Sequence, residues 1–288
     1  MKIMRKVLVG ALFGMLAVPA MAVSVWNYGN ANSGGTNPGN GTSNFGGLSI
    51  TGSGGSAAGN AVTAGITAIQ GAQTSGSTIG TGQLFWYGTS VGIGTEAVPY
   101  HAIDNNGGAY EFVLLNFNSK VALNAVTVGF NGIDNATPNL ARATVLAFTG
   151  TPPVNAVPNI TNGNDTWGNL TSAWDSVNNI GGWQVIANSI DTGTPVNNTA
   201  SFNAGNATTS SYWLVGAYNP LFQSSGAAAP NPSDLFKFVS VTGCAVADTT
   251  STGCTPGSGG GRVPEPGSIA LFGLALAGLA AFRKRRQA

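Results

Sequence analysis

Charge is what this sequence has least of. Only 7% of its 288 residues are Asp, Glu, Lys or Arg, and it has one histidine, His101. A Ser-His-Asp triad would rest entirely on that residue, beside Ser90 or Ser119. No Gly-x-Ser-x-Gly elbow lies on a strand-to-helix turn, and Gly52-Ser53-Gly54 sits in a glycine tract. His101 better suits a backbone hydrogen bond in its own turn. Glu96 and Glu111 lack the surrounding acids that a glycosidase pair calls for. No catalytic residue is expected, and the chain does not read as an enzyme.

Basic residues are scarcer still in the body of the chain. Of the 11, Lys2, Arg5 and Lys6 lie near one end and Arg283, Lys284, Arg285 and Arg286 near the other. Between residues 23 and 262, four basic residues face nine acidic ones, a net charge of −5 with His101 neutral. Nothing there could track a phosphate backbone, which argues against nucleic acid as a partner. Cysteine is sparse too. Cys244 and Cys254 lie ten apart in a Thr/Gly-rich stretch, and in an oxidising compartment a disulfide closing that small loop is expected.

The polarity comes instead from Asn, Thr, Ser and 43 glycines. Thr and aromatics suit strands, and Asn and Gly suit turns that need positive φ, so the composition favours a sheet and suits long helices poorly. Low charge also means that adhesion to a polymer matrix meets little electrostatic opposition. The expected strands are 25–28, weak ones within 29–82, 83–87, 110–117, 120–130, 140–148, 183–190, 212–218 and 235–241. The run 110–117 is continuously apolar. The run 120–130 alternates, through Val121 and Leu123 and then, after a slip, Val126, Val128 and Phe130. Turns are read at Asn105-Asn106-Gly107-Gly108 and Asn131-Gly132, and Leu170, Trp174 and Val177 have the spacing of one short helix. No room is left for βαβ crossovers. The expected fold is all-β, an antiparallel, jelly-roll-like β-sandwich spanning 23–254.

Both ends carry short apolar runs. Near the first, Lys2, Arg5 and Lys6 precede apolar residues 7–18, and Ala20-Met21-Ala22 offers a small-x-small site with cleavage before Val23. This is a signal peptide over 1–22, with signal peptidase as the processing partner. Near the second, a Gly-rich spacer (255–262) leads to Val263-Pro264-Glu265-Pro266, then an apolar segment (268–282) and the basic cluster 283–286. The prolines fix φ near −65° and hold the motif extended. The 15 apolar residues are short for a span of about 20, but Gly267 and the stem of Arg283 can lengthen the reach into one C-terminal transmembrane helix. The basic cluster stays cytoplasmic, leaving the motif outside.

That order of parts over 263–288 resembles the PEP-CTERM sorting signal of exosortase substrates in Gram-negative bacteria. The resemblance implies an exported precursor anchored in the inner membrane. An exosortase then cuts it at the motif, and the product reaches the cell surface or extracellular matrix and associates there with exopolysaccharide. Two further stretches resemble a family of exosortase-dependent surface proteins. They are the turn His101-Ala102-Ile103-Asp104-Asn105 before a strand, and Asp234-Leu235-Phe236-Lys237-Phe238 before the spacer. Such a resemblance implies a β-rich surface protein and brings no established activity with it.

Two weaker sites remain. Asp104, Asn105, Asn106 and Asp134 are oxygen donors of the kind Ca²⁺ accepts, on loops that could meet at one sheet edge. Turn geometry explains them equally, and no Asp-x-Asp-x-Asp series or bidentate Glu is present. No cofactor is expected, with Ca²⁺ the one ion these donors would suit. Of the six tryptophans, Trp167, Trp174 and Trp183 lie in or near loops. They are the better candidates for an exposed face that stacks on sugar rings, against the alternative of core packing. The readings left open are a surface protein, a carbohydrate-binding module, and a simple tail-anchored membrane protein.

Overall fold

The computed structural model describes residues 24–28, 48–57, 60–86, 90–93, 102–105, 108–133, 141–151, 158–192, 198–204, 207–223 and 234–245, with backbone alone at 48–57, 60–61, 86 and 130–133. The chain divides into two compact units, Met1–Thr255 and Pro256–Ala288, and every described residue belongs to the first.

Its strands are β1 (Ser24–Asn27), β2 (Leu48–Ala57), β3 (Asn60–Ala72), β4 (Gly80–Thr81), β5 (Leu84–Trp86), β6 (Val91–Ile93), β7 (Ile103–Asp104) and β8 (Ala109–Ile133). Then come β9 (Arg142–Phe148), β10 (Trp183–Asp191), β11 (Asn198–Ser201), β12 (Ser210–Ala217) and β13 (Asp234–Ala245). All pairings are antiparallel and belong to one continuous 13-stranded sheet. The all-β expectation holds. The glycine-rich region expected to hold only weak strands supplies β2, β3 and β4.

The long strand β8 organises the sheet. Residues 109–117 pair with β3, and residues 121–133 pair with β13. β3 pairs with β2, β2 with β1, and β1 with β13, so the hydrogen-bonded path returns to β8. Along the other edge of β8 run β11 and then β12, which leads on to β9 and β10.

Two expectations are corrected here. Residues 110–117 and 120–130 are one strand, because Asn118 and Ser119 continue its extended backbone. Asn118 accepts a hydrogen bond from the backbone of Thr63 at 3.0 Å. Asn131-Gly132 is likewise no turn, since those residues pair with Phe236 and Leu235 of β13. The slip after Leu123 has a physical cause. Thr242 and Gly243 face Ala125 and Leu123, so Asn124 is an extra residue that reverses which side chains point inward.

Burial explains why the two halves of β8 look different in sequence. Val113, Leu115, Phe117, Val121, Leu123, Val126 and Val128 enter an inner core with Trp26, Tyr28, Ile66, Phe236 and Phe238. Tyr110 and Phe112 face the opposite way, into an outer core with Leu146, Phe148, Trp167, Leu170, Trp183 and Leu214. Past Leu114 that outer cover ends, and Asn116, Asn118 and Lys120 are exposed. A strand covered on both faces reads as a continuous apolar run, and one covered on a single face alternates. β9 and β12 repeat the arrangement, with Val145 and Val215 turned inward and Leu146 and Leu214 outward.

Candidate functional site

The outer core is roofed by a coil, residues 159–182, that builds itself from side-chain-to-backbone bonds. Asn162 donates to Asn179 O (3.1 Å), Asn164 to Asn178 O (3.2 Å) and Asn169 to Asn164 O (3.0 Å). Asp175 Oδ1 accepts from the Val177 and Asn178 amides at 2.9 and 3.2 Å, and Oδ2 from the Asn178 side chain. These bonds, led by the Asn178 side chain, hold the Asp175 carboxyl below the usual carboxylate range. They also replace helical i→i+4 bonds, so the helix expected at Leu170, Trp174 and Val177 is a chain of turns closed by the pair Asp175↔Ile180. Asp165 lies beneath, buried, with Oδ1 accepting from the Gly181 amide at 3.0 Å. Burial raises its pKa to about 6, opposed by that hydrogen bond.

All three candidate tryptophans join this one region, but not as an exposed trio. Trp167 and Trp183 are 1% and 3% exposed, which corrects the expectation of an open face at those positions. Trp167 packs on Phe112 (ring centroids 5.2 Å apart) and edge-on to Tyr110 (5.9 Å). Trp183 packs on Phe148 at 5.5 Å. A loop tryptophan is drawn inward here because the sheet beneath presents an aromatic face that would otherwise meet water. Trp174 alone stays half-buried, edge-on to Phe148 at 5.0 Å and 90°.

Trp174 is one wall of an open cleft of about 900 Å³. Its lining includes the strip Thr149–Thr151 after β9, and Gly182 with the start of β10, 183–185. The far wall is the 3-10 turn Pro220–Phe222 with Gln223. Thr149 and Gly150 both donate to Gly182 O, at 2.9 and 3.1 Å, tying these two segments together. Glycine is required at Gly182. Its φ is +80°, and a Cβ there would meet Phe148 Cε2 at 2.9 Å and Trp174 Cβ at 3.0 Å. Among the described residues the lining holds no charged side chain. It offers threonine and serine hydroxyls, the Gln184 and Gln223 amides, and the apolar edges of Leu221 and Phe222. This cleft was half legible in the sequence. Trp174 was a candidate, but no local pattern announced Thr149, Gly182, Gln184 or Gln223.

The oxygen-donor set lies elsewhere. Asp104 sits on β7, 6% exposed and paired with Leu235, so it is a strand residue inside the fold rather than a ligand on an open loop. Its backbone amide donates to Glu111 Oε2 at 3.2 Å. Asn105 bonds Asp234 in both directions, its amide nitrogen donating to Asp234 Oδ2 (3.3 Å) and its oxygen accepting from the Asp234 amide (2.8 Å). The same Asn105 nitrogen reaches Tyr218 O, and Asp234 Oδ1 accepts from Arg142 N. Burial raises the Asp234 pKa to about 6, despite the hydrogen bonds from Arg142 and Asn105 and the nearby Arg142 charge. These bonds clasp the ends of β7, β9, β12 and β13 together, a structural use of the polar groups. Among the described residues no three His, Cys, Asp or Glu side chains group as a metal site. Asn106, Asp134 and His101 lie outside the described residues, as do the signal-peptide residues Ala20, Ala22 and Val23, the motif Val263–Pro266 and the basic cluster 283–286. Cys244 is buried on β13 and is not a free thiol, while Cys254 is also outside the described residues. No helix among the described residues is long and apolar enough to cross a membrane.

A family model described as the PEP-CTERM protein-sorting motif matches residues 262–286. No curated protein and no solved structure matches the chain. The motif implies export, a membrane-anchored precursor and processing by an exosortase, so the chain carries the address of an exosortase substrate on an all-β body.

Proposed function

We propose that this protein is a non-enzymatic, secreted surface protein of a Gram-negative bacterium, held in extracellular polysaccharide once an exosortase has cut it at Pro264-Glu265-Pro266. In this reading signal peptidase removes residues 1–22, and the C-terminal apolar helix anchors the precursor in the inner membrane. The body, a β-sandwich turned about β8, then enters the biofilm matrix. Two features of the body agree with the surface-protein resemblance of Asp104-Asn105 and Asp234. The two stretches come together in one clasp, and the clasp uses the donors structurally rather than for chemistry. A disulfide between Cys244 and Cys254 would close the end of β13 against an oxidising exterior.

The observation that carries the polysaccharide part is the cleft beside Trp174, an aromatic side chain among hydroxyl and amide groups, with no charged residue in the lining among the described residues. Among the described residues its lining supplies no carboxylate, histidine or lysine to move a proton, which supports binding rather than hydrolysis. The test is fractionation of cells making the wild-type chain or one with alanines at 264–266. Wild-type protein is expected in the polysaccharide-rich matrix, ending near Pro264, and the variant full-length in the inner membrane. Mature protein found free in the medium would overturn the polysaccharide association, and normal release of the variant would overturn the sorting. Non-reducing peptide mapping is expected to join Cys244 to Cys254.

A further inference from the structure

Polysaccharides of the bacterial surface divide by charge. Resting on the polysaccharide reading above, we infer that the Trp174 cleft takes a neutral glycan and selects against polyanionic chains such as polyuronates.

Three observations converge on this. The first is the lining itself. Trp174 shares the lining with Thr149, Thr151, Ser172, Gln184 and Gln223, all uncharged groups that donate and accept hydrogen bonds, as sugar hydroxyls do. A carboxylate placed there would give up water without gaining a cation, a loss that neutral hydroxyls avoid. The second is the aromatic wall. The Trp174 ring is held edge-on by Phe148 and backed by Gly150 and Gly182, at which a Cβ would come within 2.9 and 3.0 Å of Trp174 atoms. The ring is therefore fixed before a ligand arrives, and its negative π face suits the slightly positive C–H edge of a pyranose. The third is the long-range field. The body between residues 23 and 262 carries a net −5, which repels an approaching polyanion.

The cleft has the dimensions for an extended ligand. Its volume of about 900 Å³ lies near the top of the roughly 300–1,000 Å³ usual for ligand sites. It is open, which suits a point along a chain rather than a chain end. The strip Thr149–Gly150 also borders a smaller cavity of about 160 Å³, lined by Ser210, Tyr212 and the exposed Lys120. Lys120 is thus a cation on the border of the strip. It is the group through which an acidic glycan would act if the inference were wrong.

The experiment uses the exported, processed protein and two soluble probes, a neutral glucan and a polyuronate. Affinity electrophoresis and Trp fluorescence are read at low and moderate salt. The neutral glucan is expected to bind with little salt dependence and to shift the tryptophan emission. Trp174→Ala is expected to weaken that binding at least about tenfold, as loss of a central aromatic anchor does. Trp174→Phe and Gln184→Ala, which spare the Phe148 packing, are expected to weaken it less while thermal stability stays put. Lys120→Gln is expected to change nothing. Salt-sensitive polyuronate binding that disappears in Lys120→Gln would overturn the neutral selectivity and leave the polysaccharide reading standing. Failure of both probes to bind would overturn the two together. Glucan binding untouched by Trp174→Ala and Gln184→Ala would place the site elsewhere and overturn the inference alone.

Discussion

The two faces of the central strands β8, β9 and β12 bury their side chains against different kinds of structure. Inward, Val113, Leu115, Val145, Trp213 and Val215 meet the strands reached around the closed pairing path, with Trp26 from β1 and Phe236 and Phe238 from β13. Outward, Phe112, Leu146, Phe148 and Leu214 meet a cover that is mostly coil. They meet Trp167, Leu170 and Trp183, delivered by a coil and the strand after it, which is shaped by asparagine and aspartate bonds to its own backbone. A core between strands is secured by backbone ladders on both sides. A core under a coil depends on a few large rings and on the turns that place them. Only the second leaves a partly covered aromatic, Trp174, at its margin, and that margin is the cleft. The site belongs to the region whose packing is least repetitive.

The comparison can be broken most directly through its largest side chains. Phe236→Ala is expected to cost about 3–5 kcal/mol and lower the urea midpoint of the whole body. Trp167→Ala is expected to cost a similar amount locally, with the rise in amide exchange confined to residues 159–182 and their contacts on β8 and β9. If exchange in Trp167→Ala rose equally across β1 and β13, the two cores would be one cooperative unit.

A smaller effect concerns the seam between coil and β10. Gly182→Ala is expected to cost about 2 kcal/mol, from its positive φ and from the Phe148 and Trp174 atoms a methyl would meet. It should also misplace Trp174 and abolish the glycan-induced fluorescence shift while the inner core keeps its stability. A variant that binds normally would show that the lining tolerates movement.

Buried acids sharpen the comparison further, one in each region, Asp165 under the coil and Asp234 in the strand-end clasp. Each is raised from 3.8 to about 6. The folded state therefore holds the proton more tightly than the unfolded chain does. Their contribution is complete below about pH 3.8 and is lost as pH rises through about 6. Acidification from pH 7 to pH 4 is expected to stabilise the body by at most about 2 kcal/mol through each of these two groups. Asp165→Asn keeps an acceptor for the Gly181 amide, and it should remove the part of that gain that protects residues 159–182. The smallest expected effect opposes this trend. Asp175 is lowered, so its contribution is present above 3.8 and fades as pH falls through its folded value, and Asp175→Asn should reduce stability at pH 7 only slightly. A melting temperature that falls steadily from pH 7 to pH 4 would contradict the burial of both acids.

Much of the strand order was legible because strand periodicity is local. The alternation through Val121, Leu123, Val126 and Val128 even carries the mark of the bulge at Asn124, since one extra residue shifts every later side chain to the other face. The break between 117 and 120 was misread because Asn and Ser interrupt the apolar pattern without ending the strand. Here the Asn118 side chain instead accepts from the backbone of Thr63, 55 positions away. Trp167 and Trp183 were misplaced for the same reason, as loop position says nothing about what the loop lies upon.

By itself the sequence determined the address, the all-β class and the poverty of charge. A sorting motif is read by an enzyme as linear text, and composition acts without regard to partners in space. The tertiary structure alone decided which tryptophan meets water, which acids are clasped and where a cleft opens. Each depends on contacts between residues far apart in the chain, such as Asn105 with Asp234, 129 positions on, and Trp174 with Phe148. Local propensity cannot encode those contacts, and only the closing of the sheet about β8 brings them together.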